Sequence, residues 1–503
     1  MPSWWMIPTV FLPIAGGMGA RLIPFSRRLK QIFLLAVITA TSVLTALQIF
    51  RGDGNSAVLF SVMDDLTLVF RLDGAGKIFA GLLALLWPPA MLYTYLYMQG
   101  RNAEGFFCFY TMSYGVALAI AFAGNLFTLY AFYECLTMVT LPLVAFNKDR
   151  AARKAGQTYV NFSITGAAMA FVGMLFLSHY DTPAGFSPGG VLDMARVAGH
   201  EEMLRWVFLL AFIGFGTKAA VFPMYAWLPA VSVAPTPVTA LLHAVAVVNA
   251  GTFAVIRMTH YSFGAAFLAG SVPQAIAVCL SCFTILFAAV MAIRQGNLKK
   301  RLAFSTVSNL SYMLLGAVLM TPYGLEGSFL HLVCHSLMKI LLFWCAGLFL
   351  IRAKRSEIQE LRGLGRRMPA VCAAYTFAAA ALTGVPPMCG FLSKWNLMMA
   401  ADQEGSWLGI LGMAALIIAA VLTAAYVLFP AFLMYFRPLE GYHDTILKIA
   451  EKYFIEYNGD WVMTNEFLQW VNRENQAGRH VYVPSSLLNT VHTREREEKN
   501  NML

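Results

Sequence analysis

The chain has 503 residues, 59% of them hydrophobic and only 12% charged, which excludes a soluble globular domain and points to a polytopic helical membrane protein. Its formal net charge of +10 would suit a nucleic-acid binder, but the basic residues are arranged as membrane topology demands. No nucleic-acid partner is expected.

Apolar stretches of bilayer length run at roughly 4–24, 30–50, 77–98, 106–124, 125–146, 158–178, 206–228, 238–257, 273–294, 302–320, 328–351, 370–398 and 406–436, which predicts about thirteen or fourteen transmembrane helices. The first stretch is followed by RRLK and a second full span, so it reads as a transmembrane helix rather than a cleaved signal. Basic loops hold Arg21, Arg27, Arg28 and Lys30; then Lys148, Arg150, Arg153 and Lys154; then Arg294, Lys299, Lys300 and Arg301; then Arg352, Lys354, Arg355, Arg362, Arg366 and Arg367. They alternate with acidic loops around Asp53–Asp73, Asp181–Glu202 and Asp402–Glu404. By the positive-inside rule the N-terminus is expected outside the cytoplasm and the C-terminal tail inside, in a bacterial-type inner membrane. The eight cysteines include Cys279 and Cys282 as C-x-x-C within an apolar span, with no second pair, and read as packing residues rather than a metal or redox site.

In GFGTKAAVFPMYAWLPAVSVAPTPVTALLHA, Lys218 stands in an apolar run, where an ammonium costs about 2.5–3.5 kcal/mol even on the gentler insertion scales. Pro223 follows five residues later and breaks the helix. A broken helix at membrane depth survives only where protein or a wetted cavity satisfies its backbone, so a lysine beside the break reads as an ion-pathway signal. The next span, drawn from Val238 to Arg257, carries His243 and Asn249.

Few other ionisable groups fall within spans. Glu134 is the sole carboxylate deep in a predicted span and is the natural partner for Lys218, because each favours the charged form of the other. His331, His335 and Lys339 recur every four residues along one helix stripe. The motif H-L-V-C-H lacks the glutamate of a zinc-binding helix, so no metal is expected there and a proton relay fits better. Ser305, Thr306, Ser308, Asn309, Ser311 and Tyr312 could hold water or join helices. In ALTGVPPMCGFLSKWN, Gly384, Pro386, Pro387 and Gly390 interrupt a second helix just before Lys394. The opposite order of lysine and break in the two segments is what an inverted repeat would produce.

These stretches, together with NLKKRLAFSTVSNLSYM, FLHLVCHSLMKILLFWCAG and LRGLGRRMP, resemble the antiporter-like, proton-translocating membrane subunits shared by respiratory complex I, Mrp-type antiporters and energy-converting hydrogenases. The resemblance covers about residues 65–435. It implies two inverted five-helix repeats, each with a broken helix, joined by a hydrated polar axis. On that pattern the chain divides into N-terminal helices (1–105), a first repeat (106–258), a second repeat with the last helix (259–436) and a cytoplasmic amphipathic tail (437–503). Glu134 and Lys218 match the family's glutamate–lysine pair. His243, His331, His335 and Lys339 match its central relay, Lys394 its terminal lysine, and Lys299 a lysine near the cytoplasmic end of its helix. The chain departs from the pattern at Asn249, where many members carry lysine, and at Tyr225 and Ala230, where the usual histidine and aspartate are replaced.

The implied function is proton translocation within a multisubunit complex, with redox chemistry in partner subunits. No nucleotide loop, cluster-ligating cysteine set or quinone pocket can be read here, and no cofactor is expected. Expected partners are other membrane subunits, the bilayer, and protons or sodium. The alternatives are a Mrp-type sodium/proton antiporter subunit without redox partners and, from a different class, a non-conducting membrane anchor. The tail windows Asp444–Tyr457 and Thr464–Arg473 read as amphipathic and suited to a membrane surface or neighbouring subunit.

Overall fold

The computed structural model describes residues 3–22, 26–51, 56–63, 66–101, 103–182 and 185–436, with positions 454–457, 460–463, 469, 472, 473 and 476 beyond them. The chain divides into the units Met1–Met434 and Tyr435–Leu503. The first is an all-α polytopic membrane protein. Among the described residues nine helices are long and apolar enough to cross a membrane. The other predicted spans are also helical, but are shorter, more polar or interrupted: Met6–Leu22, Glu201–Gly216, Leu298–Val318, and the pair Pro369–Thr383 and Cys389–Glu404.

Between the helices Arg27–Arg51 and Gly74–Tyr97 the strands Ser56–Met63 and Leu66–Arg71 pair as an antiparallel hairpin, where charge alone suggests an acidic loop. Asn125 ties this hairpin to the helix Leu126–Val144: its Nδ2 donates to Thr67 O (2.8 Å) while its Oδ1 accepts from Thr128 N (2.8 Å). Such an N-cap fixes the start of the helix that carries Glu134.

The first broken helix ends earlier than Pro223 suggests. Glu201–Gly216 stops just before Thr217, and Ala220 takes a left-handed conformation (φ 57°), so Lys218 lies inside the break. The freed backbone groups find side chains: Trp227 Nε1 donates to Thr217 O (2.8 Å), and Phe222 N donates to Thr284 Oγ1 (3.1 Å). This is how irregular backbone is accommodated away from water. The second break is closed by Gly384 in the left-handed region (φ 95°) at the end of Pro369–Thr383, and Cys389–Glu404 starts afterwards. The Phe222–Pro223 and Pro386–Pro387 peptides are cis.

The span expected at 238–257 continues to Phe263 and is buried throughout except at Tyr261. It alternates between α- and π-helix, with π-segments at Leu241–Val245 and Arg257–Phe263. A π-segment loosens the hydrogen-bond ladder and often marks a functional position; the first one carries His243. Asn249 Nδ2 bonds to Ala244 O (2.9 Å) and Val245 O (3.1 Å) as well as Ser336 Oγ (2.7 Å), so it ties down the segment that holds the histidine.

Gly251 lets this span approach the first break. A Cβ there would lie 2.5 Å from Ala219 N and 2.7 Å from the Lys218 carbonyl carbon. Gly251→Leu is therefore expected to destabilise the folded protein by about 1–3 kcal/mol, the usual cost of overpacking. Thermal unfolding of the detergent-solubilised protein checks this; an unchanged midpoint would show that the helix and the break can separate freely.

In the second unit Phe454–Tyr457 pairs antiparallel with Asp460–Met463, so the end of the predicted Asp444–Tyr457 amphipathic window is a strand. The rest of that window and most of Thr464–Arg473 lie outside the described residues.

Candidate functional site: a buried line of lysines and histidines

Lys218 is 1% exposed, and its Nζ lies 3.6 Å from Glu134 Oε1. The same ammonium donates to Tyr133 O and sits 3.4 Å from the centre of the Tyr133 ring. Tyr133 itself is anchored by its hydroxyl to Phe215 O (2.8 Å). A cation over an aromatic face gains electrostatically from the ring quadrupole, so three neighbouring groups hold the charge. Glu134 is less buried than its span suggests: its side chain remains 25% exposed.

The helix Pro322–Ala353 displays the predicted stripe, and His331, His335 and Lys339 are all fully buried. Lys339 Nζ donates to Leu302 O (3.0 Å). His331 Nδ1 contacts Ser393 Oγ (2.9 Å), and its Nε2 contacts Asn309 Oδ1 (3.3 Å). Its ring lies 5.4 Å from that of Tyr312 and 6.3 Å from that of His335. His243 packs on Phe343 at 5.0 Å between ring centres. Among the described residues no group hydrogen-bonds either ring nitrogen of His243 or His335, although buried polar atoms nearly always find a partner. His335 is within electrostatic range of Lys339, His331 and His243.

At the far end Lys394 is 8% exposed. Its Nζ donates to Leu382 O and Thr383 O, at 2.9 Å each, the terminal carbonyls of Pro369–Thr383. A cation there also complements the negative end of the helix dipole. Position relative to a break suggests carbonyls open to water; the structure instead shows Lys394 capping them. Ser393, its chain neighbour, touches His331, so the second broken helix and the histidine stripe meet directly. Lys299 is held by Ala234 O (2.7 Å) and lies in electrostatic range of His243. Lys218 and His243 share no hydrogen bond.

Sequence reasoning missed a buried ion pair. Arg257, drawn as a span boundary, is fully buried and donates through both terminal nitrogens to the two carboxylate oxygens of Asp73. The rings of Phe186, Phe253 and Tyr261 lie 4.9, 5.0 and 4.7 Å from the guanidinium carbon. Burial alone would raise the Asp73 carboxyl, but the Arg257 hydrogen bonds and charge outweigh it and hold it below its usual range. Only the residue types gave warning, since an arginine inside a continuing apolar run needs a carboxylate somewhere. His260, in the same π-segment and bonded to Ala317 O (2.9 Å), was also missed.

Removing one partner of a buried pair leaves the other charge uncompensated and typically costs about 3–5 kcal/mol. Asp73→Asn is expected to lower the unfolding midpoint strongly, whereas an exposed-pair variant such as Glu104→Gln should barely move it. Because the folded Asp73 value is lowered, the pair's stabilisation is present above the unfolded aspartate range and lost as pH falls through the folded value. The wild-type midpoint should therefore fall toward that of Asp73→Asn on acidification; parallel pH curves would contradict this.

Residues 123–423 match the family model described as NADH:quinone oxidoreductase/Mrp antiporter, TM. The NADH-quinone oxidoreductase subunit N of Desulforudis audaxviator is 29% identical over 436 residues, covering 83% of each chain. A probable K(+)/H(+) antiporter subunit from Rhizobium meliloti is 28% identical over 398 residues, which span 76% of this chain but 38% of that protein. Among solved structures, a chain of the membrane-bound sulfane sulfur reductase, an archaeal respiratory membrane complex, superposes with a TM-score of 0.73 at 21% identity, covering 88% of this chain and 92% of that one.

Proposed function

The chain belongs to the NADH:quinone oxidoreductase/Mrp antiporter transmembrane family, and from that premise we propose that it is the proton-translocating, antiporter-like subunit of a multisubunit membrane complex. Protons pass laterally from Lys218 through His243 and the His335–His331 pair to Lys394, with Lys339 and Lys299 setting the local field. The observation that carries this reading is the pair of buried histidines, His243 and His335, whose ring nitrogens no group among the described residues engages. Side chains kept only for packing would be apolar or satisfied; imidazoles free on both edges can take up and hand on protons through intervening water.

The Glu134–Lys218 ion pair controls the first step. With the carboxylate near, Lys218 holds its proton; when a neighbouring subunit draws Glu134 away, the proton moves inward. Partial exposure of Glu134 suits such outside control. The energy source is redox chemistry in partner subunits, in keeping with the quinone-oxidoreductase relative. The antiporter relative supports a second reading, exchange of sodium or potassium for protons without redox partners. Neither needs a cofactor in this chain. The basic loops favour an N-terminus outside the cytoplasm and a cytoplasmic tail, and the two broken helices fit inverted repeats.

Acidification of inverted membrane vesicles containing the intact complex, measured with and without alkali cations, tests the proposal. Redox-driven acidification that persists without sodium and potassium is the expected result. Acidification that requires an imposed cation gradient and no electron donor would transfer the protein to the second reading.

A further inference from the structure

Cys334 and Cys389 lie where the relay helix meets the second break. Cys334 is 3% exposed and falls between His331 and His335 on Pro322–Ala353, whereas Cys389 is exposed and is the first residue of Cys389–Glu404. Cys334 and Cys389 face each other across these two helices, within electrostatic range. One turn away the same two helices are joined by His331 Nδ1 and Ser393 Oγ at 2.9 Å. Gly390, next to Cys389, lies against Met338 of the relay helix, where a Cβ would be 3.4 Å from Sδ, and its lack of a side chain admits the close approach of Ala381 O from the other half of the break. Both cysteines are free. Neither has a part in the proton pathway.

We propose that Cys334 and Cys389 form a peroxide-responsive dithiol whose oxidation clamps the second broken helix to the histidine stripe and closes the route to Lys394. The oxidant is a small uncharged peroxide able to enter the bilayer. Cys389, the accessible partner, attacks the O–O bond as its thiolate, giving a sulfenic acid and releasing water once the leaving oxygen is protonated. The Cys334 sulfur then attacks the Cys389 sulfur, and the sulfenic hydroxyl leaves as a second water with the Cys334 proton. Two thiols and one hydrogen peroxide thus become one disulfide and two waters, and a dithiol reductant reverses the bond by exchange. A covalent link one turn from the His331–Ser393 contact fixes the spacing of the elements that bring His331 and Lys394 together.

The closure step rests on the relay reading; formation of the disulfide does not. The test treats the intact complex in vesicles with hydrogen peroxide, maps peptides without reduction, and measures acidification before and after a dithiol reductant. A linked Cys334–Cys389 peptide is expected, with loss of most acidification that the reductant restores. Both effects should be absent in Cys334→Ser and in Cys389→Ser. No linked peptide, or a sulfinic acid at Cys389 instead, overturns the proposal. A linked peptide with unchanged acidification overturns the switch while the Lys394→Met variant is inactive. If Lys394→Met also acidifies normally, the relay reading is what has failed.

Discussion

Replacing Lys218 by methionine is expected to abolish proton transport while the complex still assembles. The buried ammonium is held by Glu134 at 3.6 Å, by Tyr133 O and by the Tyr133 ring, and methionine fills a similar volume without a charge to bury. Removing one partner of a buried pair costs stability, so transport is compared only at matched amounts of assembled complex, where a loss reports function rather than stability. Glu134→Gln should have the same functional effect for a different reason. It keeps the side-chain shape but removes the negative charge that retains the proton on Lys218. Each change should lower transport by about a hundredfold or more, the lower range for loss of a positioned proton-transfer group. Acidification by vesicles with matched amounts of assembled complex is the measurement. Glu134→Gln with full transport would reduce the pair to a tie between helices.

Arginine at position 394 gives the second large effect. Lys394 donates to Leu382 O and Thr383 O, and a guanidinium carries enough N–H groups to cap the same carbonyls. Lys394→Arg should therefore fold and assemble normally. A guanidinium does not release its proton in a protein, so transport should cease although the positive charge is retained. Lys394→Met should also stop transport, but it leaves two helix-end carbonyls without their donor, a penalty of about 1–3 kcal/mol if they stay buried. The arginine variant is thus the sharper comparison. Full transport in Lys394→Arg would make Lys394 a fixed charge and place the end of the relay elsewhere.

Much of this architecture was legible in the chain because a bilayer allows few solutions. Apolar length marked the spans, and charges within them stood out against a background that excludes charge. The contact between Glu134 and Lys218 followed from the scarcity of deep carboxylates: Glu134 alone stood against two lysines beside breaks, Lys218 and Lys394. What periodicity could not give were features made by long-range contact. The span that holds the His243 π-segment is tied to the helix Pro322–Ala353 through Asn249 Nδ2 and Ser336 Oγ, 87 positions apart. The Asp73–Arg257 pair joins residues 184 positions apart, and Arg257 looked like a span boundary because its partner was distant. The position of the first break was also misplaced, since Pro223 is a visible breaker while the left-handed Ala220 is not. The Ser56–Met63 and Leu66–Arg71 strands had a local signal, short apolar runs with valine, threonine and phenylalanine beside turn formers, but acidic neighbours made them resemble a loop.

The central claim, that protons pass through the buried histidines, is tested most directly at His335. Among the described residues no group hydrogen-bonds either of its ring nitrogens, so His335→Leu orphans no partner there, fills a comparable volume and should leave the fold intact. The measurement is the initial rate of acidification by vesicles containing equal amounts of assembled wild-type and His335→Leu complex. The account predicts that acidification all but disappears in the variant while assembly and unfolding midpoint stay unchanged. Wild-type acidification in a fully assembled His335→Leu complex would contradict it.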